Sequence, residues 1–558
     1  MPALRSRLAA AFSYLAIVLS LWVPFSLRSG MPVDTGFTYV SEISRWWNGF
    51  LNGSDLLRVH ISTFYQVAYL LGELTGFGGS WVPYQIVYAA LWWARGFLVF
   101  LIGRRLLPGH DVFWYLAGVF VLVHSSDQTL GWVGQTHQSG YIFWMLLAFY
   151  ALILAFEEKK NSRVCLYLII AGFLLHLSLW AYESQLPLLF LAPLLLWLLY
   201  RLPWRRWAAI TAGWYAVPAI YIVVALAKYA RSGGHTYQQS VLRKTWQLGS
   251  LLSDWIFNIV TSLKVWAWAG SESAKVSEDQ LILPAVIATI VFLAGFALML
   301  WLQRSESPAP ERRTLSRALG VGLLLLIFSF PVYLVLESAR GLWRTQILSG
   351  LAAGLMFASL VTLLAGYVRR KWLRAGVIAV LGGLIVWYGS YSALKKTAYH
   401  HWVWERYRAV IAEVIHAAPR VKPGTLVILT NVPKDEWGSP LGAPNQWFDV
   451  WFDVAMQLAY PGTRVGGLFF YSDGAPASVS GFQTDAQGRW MVYEHPLVRA
   501  HNIDGLLVLE YHSDGVATIA RTLPSFLAVD EATARSYAPD TRIEPGGASI
   551  RAMRRYGP

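Results

Sequence analysis

The sequence predicts a polytopic α-helical membrane protein of about eleven spans with a C-terminal α/β extracytoplasmic domain. Three observations carry that prediction. Only 14% of the 558 residues are charged and 56% are hydrophobic, whereas soluble domains carry about 25% charged residues. Apolar runs near the roughly 20 residues that cross a bilayer recur from the N-terminus to about residue 393. Beyond about residue 400 the runs become short, apolar and bounded by turn residues, which is a strand pattern.

The apolar runs fall at about 9–27, 81–103, 111–125, 139–156, 164–181, 184–200, 207–229, 281–303, 315–336, 345–367 and 374–393. The first follows Arg5 and Arg7 without a convincing small-residue cleavage site, so it reads as an uncleaved span. Basic residues set the orientation. Arg104 and Arg105, then Lys159, Lys160 and Arg163, then Arg201, Arg205 and Arg206 occupy every second loop. Arg304, Arg312, Arg313 and Arg317, and then Arg369, Arg370, Lys371 and Arg374, continue the alternation. The N-terminus is therefore expected in the cytoplasm and the C-terminus outside. Outside loops fall at about 28–80, 126–138, 182–184, 230–280 and 337–344. Within the first of them, Ser41–Phe50 and Ser62–Leu74 have aromatic and apolar residues at helical spacing and read as helices on the membrane surface. The 230–280 loop is Trp-rich, which suits an interfacial position. Gly350 and Gly354 read as a close helix–helix contact.

Two domains follow: residues 1–395 as the transmembrane domain and 396–558 as the α/β domain. In the latter, Trp402–His416 and Phe448–Leu458 read as helices. Stretches at 424–429, 466–471, 490–493 and 505–511 read as strands. The net charge of +14 sits in the short loops that set topology, so it is no nucleic-acid signal. The single cysteine, Cys165, excludes an intrachain disulfide. No phosphate-binding loop, dinucleotide fingerprint, zinc-finger spacing or serine nucleophile elbow occurs.

Carboxylates at a membrane face are costly without a partner or a task, which draws attention to Asp34 and Glu42 in the first outside loop. Eight residues apart, they would share a helix face. They fit a general base with its supporting group, or ligands of a cation. They equally fit an N-cap with a solvated neighbour. Arg58 and His60 follow in the same loop. Glu183 sits in a tight outside hairpin, and His137 lies beside Asp127 and Gln138 in another. Arg340 and Arg344 lie in a short outside loop, against the charge trend, and fit a phosphate clamp. They also fit an interfacial anchor, with Glu337 paired to Arg340. His124 and Asp127 have metal-like spacing.

The stretch from Asp34 to about Arg105 resembles the GT-C class of polyprenyl-phosphate-sugar-dependent glycosyltransferases, in the branch of protein mannosyltransferases and aminoarabinose transferases. The matching residues are Asp34, Tyr39 to Arg45, Phe64 to Tyr69, Phe77-Gly78 and Leu101 to Leu106. The chain has Asp34-Thr35 where many relatives have Asp-Glu, and His60-Ile61-Ser62 where they often have Lys-Pro-Pro. The resemblance covers about the first fifth of the chain. It implies a GT-C-like membrane domain and a polyprenyl-phosphate-linked sugar donor. A lipid, glycan or protein acceptor hydroxyl would attack on the outer face with inversion. Asp34 would be the catalytic base, aided by Glu42. Arg58, His60, His137, Glu183, Arg340 and Arg344 would bind substrate. No motif demands a cofactor, and the acidic loop leaves a divalent cation open. A bacterial inner (plasma) membrane is the expected location. A transporter or flippase of lipid-linked glycans is the rival reading; it predicts charges buried in mid-span and two-half symmetry.

Overall fold

A computed structural model describes residues 2–30, 59–124, 133, 136–231, 242–263, 279–304, 311–335, 346–432, 448–461, 465–472, 482–484, 490–494, 497–501, 505–527 and 531–557. These residues form two compact units. One contains 2–25, 59–68 and 84–398; the other contains 26–30, 69–83 and 399–557.

The first unit is helical. In chain order its elements are α1 (Pro2–Trp22), α2 (Thr63–Thr75), α3 (Val82–Leu106), α4 (Asp111–Val123), α5 (Thr136–Glu157), α6 (Asn161–Leu179), α7 (Leu186–Tyr200), α8 (Trp204–Arg231), α9 (Leu248–Leu263), α10 (Asp279–Arg304), α11 (Arg312–Phe328), α12 (Gln346–Ala365) and α13 (Lys371–Ala417). From Tyr69 onward α2 belongs to the second unit, as does α13 from Tyr399. Eight helices among the described residues are long and apolar enough to cross a membrane: α3, α5, α6, α8, α10, α11 with its extension to Val335, α12 and α13. The chain is thus an integral membrane protein by helix length and composition. The predicted run near 9–27 falls on α1, whose apolar stretch is Ser6–Trp22, and those near 111–125 and 184–200 fall on the short helices α4 and α7, so eight of the eleven expected spans are long and apolar enough to cross. The reason differs between them. Thirteen-residue α4 stops before His124 and is buried along nearly its whole length, so its apolar sequence reflects a packed interior helix. Leu186–Tyr200 is bounded by Gln185 and by Arg201 in the left-handed region (φ 51°), which stops the helix at fifteen residues.

The core of this unit joins α5, α6, α7 and α8 through Tyr141, Leu152, Leu175, Leu189 and Trp214. Against α12, helix α4 packs closely, and Gly354 permits it: a Cβ there would lie 2.9 Å from the Ala117 carbonyl and 2.6 Å from Val121. Close helix approach through small residues is the expected use of Gly350-x-x-x-Gly354. Tyr14 of α1 stacks on Tyr115 of α4 at 5.3 Å and donates to the Tyr115 carbonyl.

In the second unit, β1 (Leu426–Val432), α14 (Phe448–Ala459), β2 (Gly466–Tyr471), β3 (Phe482–Thr484), β4 (Trp490–Glu494), β5 (Leu497–His501), β6 (Leu506–Tyr511), β7 (Ala517–Ile519), α15 (Glu531–Ser536) and α16 (Ile550–Tyr556) follow in order. The four-stranded sheet has the order β2-β1-β6-β7. β1 pairs parallel with both β2 and β6, while β7 is antiparallel to β6. Parallel strands are covered on both faces and read as continuous apolar runs. Leu426-Val427-Ile428-Leu429 and Leu506-Leu507-Val508-Leu509 are such runs, and all are buried. Helix α14 packs on β2, with Phe452 edge-on to Phe469 at 6.1 Å. A carboxylate oxygen of Asp453 accepts from the Gly467 amide at 2.8 Å. A separate antiparallel sheet has the order β3-β4-β5.

Candidate functional site

Asp34, Glu42, Arg58, Arg340 and Arg344 lie outside the described residues, as do Asp127 and the helix expected at Ser41–Phe50. Described members of the predicted site are His60, His137 and Glu183, and all three meet at one turn. That turn, Trp180–Gln185, links α6 to α7. Pro187 at the start of α7 lacks an amide hydrogen and so favours a helix beginning there.

His60 precedes α2, and its amide donates to the Trp180 carbonyl at 3.1 Å. Its ring stands edge-on to His176 of α6 at 4.9 Å, and His176 in turn lies 4.4 Å from the Trp180 ring. Burial, and then the neighbouring His176, push the His60 imidazole down to about 4. At neutral pH it is therefore an uncharged hydrogen-bonding group and contributes no charge toward a phosphate. His137, in the first turn of α5, shares a hydrogen bond with the Tyr65 hydroxyl at 3.2 Å and lies 6.0 Å from the Tyr182 ring. Gln138 Nε2 lies 3.1 Å from the other His137 nitrogen. Tyr182 stacks on Tyr141 at 5.4 Å. Tyr141 is fixed from both sides of the turn: Ser184 donates to its hydroxyl at 2.9 Å and Ser178 to its carbonyl at 2.7 Å. Gln185 closes the ring by donating to Ser178 at 2.9 Å. Glu183 is partly exposed between Tyr182 and Ser184. Such a rim of aromatic rings and neutral hydrogen-bonding groups beside one carboxylate suits a ligand rich in hydroxyls.

A second polar cluster lies inside the same unit; of its members, sequence reasoning singled out His124 for its spacing and Arg95 as a charge inside an apolar run. Arg95 of α3 is fully buried. Its guanidinium lies 4.8 Å from the centre of the Trp92 ring and donates to the Ile347 carbonyl. Lys396 of α13 is 3% exposed and His124 fully buried. His124 Nε2 lies 2.8 Å from the Ser262 carbonyl, and the Ser262 hydroxyl bonds that of Ser349 at 2.7 Å. Ser349 donates to the Gln346 carbonyl at 2.8 Å, and Gln346 donates to Asn258 at 3.3 Å. Asn258 reaches the Asp254 carbonyl at 2.9 Å, and Asp254 pairs with Arg243. Arg243 also donates to Ser250 at 2.8 Å and to the Leu334 carbonyl at 3.2 Å.

The sequence carried a signal for this cluster. On α9, Asp254, Asn258, Thr261 and Ser262 recur at i, i+4, i+7 and i+8 and are the buried positions, while Leu252, Ile256, Phe257 and Val260 face outward. The polar stripe is the inward one, the reverse of a helix set against water. A reading that placed the 230–280 loop at the interface by its tryptophans missed that stripe. Among the described residues, no group of three or more His, Cys, Asp or Glu is placed to hold a metal ion.

No family model matches the chain. Nor does the sequence of any curated protein match it. Among solved structures, the chain is similar to the crystal structure of ArnT from Cupriavidus metallidurans in the apo state. The alignment covers 78% of this chain and 84% of that one, at 17% sequence identity and a TM-score of 0.34.

Proposed function

We propose that this chain is an inverting glycosyltransferase that moves a sugar from a polyprenyl-phosphate carrier to an acceptor hydroxyl on the outer face of the membrane. The observation that carries the reading is the meeting of His60, His137 and Glu183 at one turn. They come from three different loops, all on the side that the basic residues assign to the outside. The order of residues from Asp34 to Leu106, which resembles the GT-C class, supports it.

In this reading Asp34 takes the proton from the acceptor hydroxyl as that oxygen bonds to the anomeric carbon. The bond from that carbon to the carrier's phosphate oxygen breaks, and the carrier phosphate leaves with the electron pair. Glu42 supports Asp34. Arg340 and Arg344 offset the charge that builds on the leaving phosphate. Arg58, His60, His137 and Glu183 bind the sugar or the acceptor, with His60 acting as a neutral partner. The acceptor is a lipid, a glycan or a protein. The tail from about residue 396 lies outside the membrane in this reading, and a bacterial plasma membrane is the proposed location.

One observation favours the rival class. Arg95 and Lys396 are charged side chains buried in the helical unit, which a transporter or flippase of lipid-linked glycans also predicts. Transport leaves the sugar–phosphate bond intact, whereas transfer breaks it. Mass spectrometry of glycolipids and surface glycans from cells with and without the gene separates the two. Transfer predicts a sugar modification that disappears with the gene while its carrier-linked donor accumulates. Loss of an entire surface glycan, with its intact lipid-linked form accumulating, contradicts transfer and supports transport.

A further inference from the structure

Two stretches of the second unit that are far apart in sequence meet in a surface that none of the preceding chemistry uses. Helix α16 is capped by Ser549, whose hydroxyl accepts from the Ala552 amide at 3.1 Å. Ala552 and Tyr556, four residues apart, are its buried face. Tyr556 lies 6.0 Å from Trp404, which is edge-on to Trp81 at 6.2 Å. Three arginines tie α16 to α2 and the segment just after it. Arg551 pairs with Glu73 at 3.1 Å, Arg554 donates to the Gly78 carbonyl at 3.1 Å, and Arg555 donates to the Gly79 carbonyl at 2.8 Å. Gly79 has φ +90°, and a Cβ there would lie 3.0 Å from the Arg551 backbone, so the close approach needs glycine.

This seam leaves an apolar stripe outward. Leu70 and Leu74 lie one turn apart on α2 and Phe77 two residues past its end, with Leu74 84% and Phe77 54% exposed. On α16, which Arg551 and Arg554 tie to Glu73 and Gly78, Ile550 is 72% and Met553 47% exposed. Exposed Arg551 and Arg554 flank these two. Large side chains left outward in a cluster mark an interaction surface.

We propose that α16 and the segment Leu70–Trp81 together form an interfacial anchor that seats in the headgroup region of the bilayer and takes anionic phospholipid. Two features choose lipid over a protein partner. Trp81 immediately precedes α3, a helix long enough to span, so this segment is held where a span enters the bilayer. Helix α16 carries three arginines and no acidic residue in seven positions, which complements phosphate. Long arginine side chains at such a level keep the guanidinium among headgroups while their stems cover apolar surface. Apolar side chains beside them insert to the acyl boundary.

The test uses the full chain in lipid nanodiscs of phosphatidylcholine, with or without phosphatidylglycerol. A fluorophore is placed by Met553→Cys in a Cys165→Ser background, and a second protein carries Ile550→Cys in case the first fails to fold. The proposal predicts strong quenching by spin-labelled lipid and weak quenching by aqueous iodide at both positions. It also predicts that Arg554→Gln weakens phosphatidylglycerol retention, read by native mass spectrometry, about fivefold, the change expected of one Arg near an anionic surface. Free quenching by iodide with none by lipid overturns it. A label shielded from both quenchers points to a protein partner or a second copy, and overturns it as well.

Discussion

Helix α9 and strand β1 bury opposite kinds of residue. The helix turns Asp254, Asn258, Thr261 and Ser262 inward and Leu252, Ile256, Phe257 and Val260 outward. Five successive positions of β1, Leu426 to Thr430, are buried, and its exposed residue is Asn431. The strand follows the rule for a domain whose outside is water, where burial of apolar area is the main driving force. The inward face of the helix is polar, so hydrogen bonds and an ion pair, rather than apolar burial, hold it. One chain thus runs two packing regimes, and each makes its own prediction.

A pair of truncations separates the regimes most strongly. Asp254→Ala leaves the buried Arg243 guanidinium without its carboxylate, and should cost about 3–5 kcal/mol in the helical unit. Phe470→Ala, in a core that Phe470 shares with Leu426, Ile428, Leu468 and Val508, should cost about 3–5 kcal/mol in the second unit. Thermal unfolding in detergent, with limited proteolysis to tell the units apart, reads both. An Asp254→Ala protein as stable as the parent would mean that α9 is not held by its polar face.

A milder substitution probes the same difference. Asn258→Leu adds apolar surface at a buried position, which would be harmless in a water-driven core. Here it removes the carbonyl that accepts from the Gln346 side chain and should cost about 1–3 kcal/mol. A gain in melting temperature would contradict a polar-held α9.

Weakest of all is a pH dependence. Burial lowers the folded-state value of His60 to about 4, below the unfolded value of about 6.5. The unfolded chain therefore binds the proton first as pH falls. Stability is full above about pH 6.5 and is lost progressively toward about pH 4. His60→Gln should flatten the fall in melting temperature between pH 7 and pH 5. An unchanged slope would place the acid sensitivity elsewhere.

The long apolar helices were legible because their composition alone marks them, as were the strands at 466–471 and 505–511, which are continuous apolar runs. The boundary of α13 was not. Sequence reading ends a span near 393 and starts a new helix at Trp402, yet the helix runs unbroken from Lys371 to Ala417. No proline or glycine lies between Tyr391 and Trp402 to stop it. Helix α9 was missed because its stripe is polar and inward, the reverse of the pattern sought in a soluble helix. His60, His137 and Glu183 were legible as polar residues in outside loops, but their meeting at one turn depends on contacts far apart in sequence. Lys396 gave no sign, since only tertiary packing buries it.

The proposed chemistry stands on Asp34 taking a proton from an acceptor while a carrier phosphate leaves. Transfer of a radiolabelled sugar from a polyprenyl-phosphate donor, by purified protein and by the Asp34→Asn variant, decides it. A base at Asp34 predicts a variant that folds normally and loses transfer. Full transfer by Asp34→Asn would contradict that role.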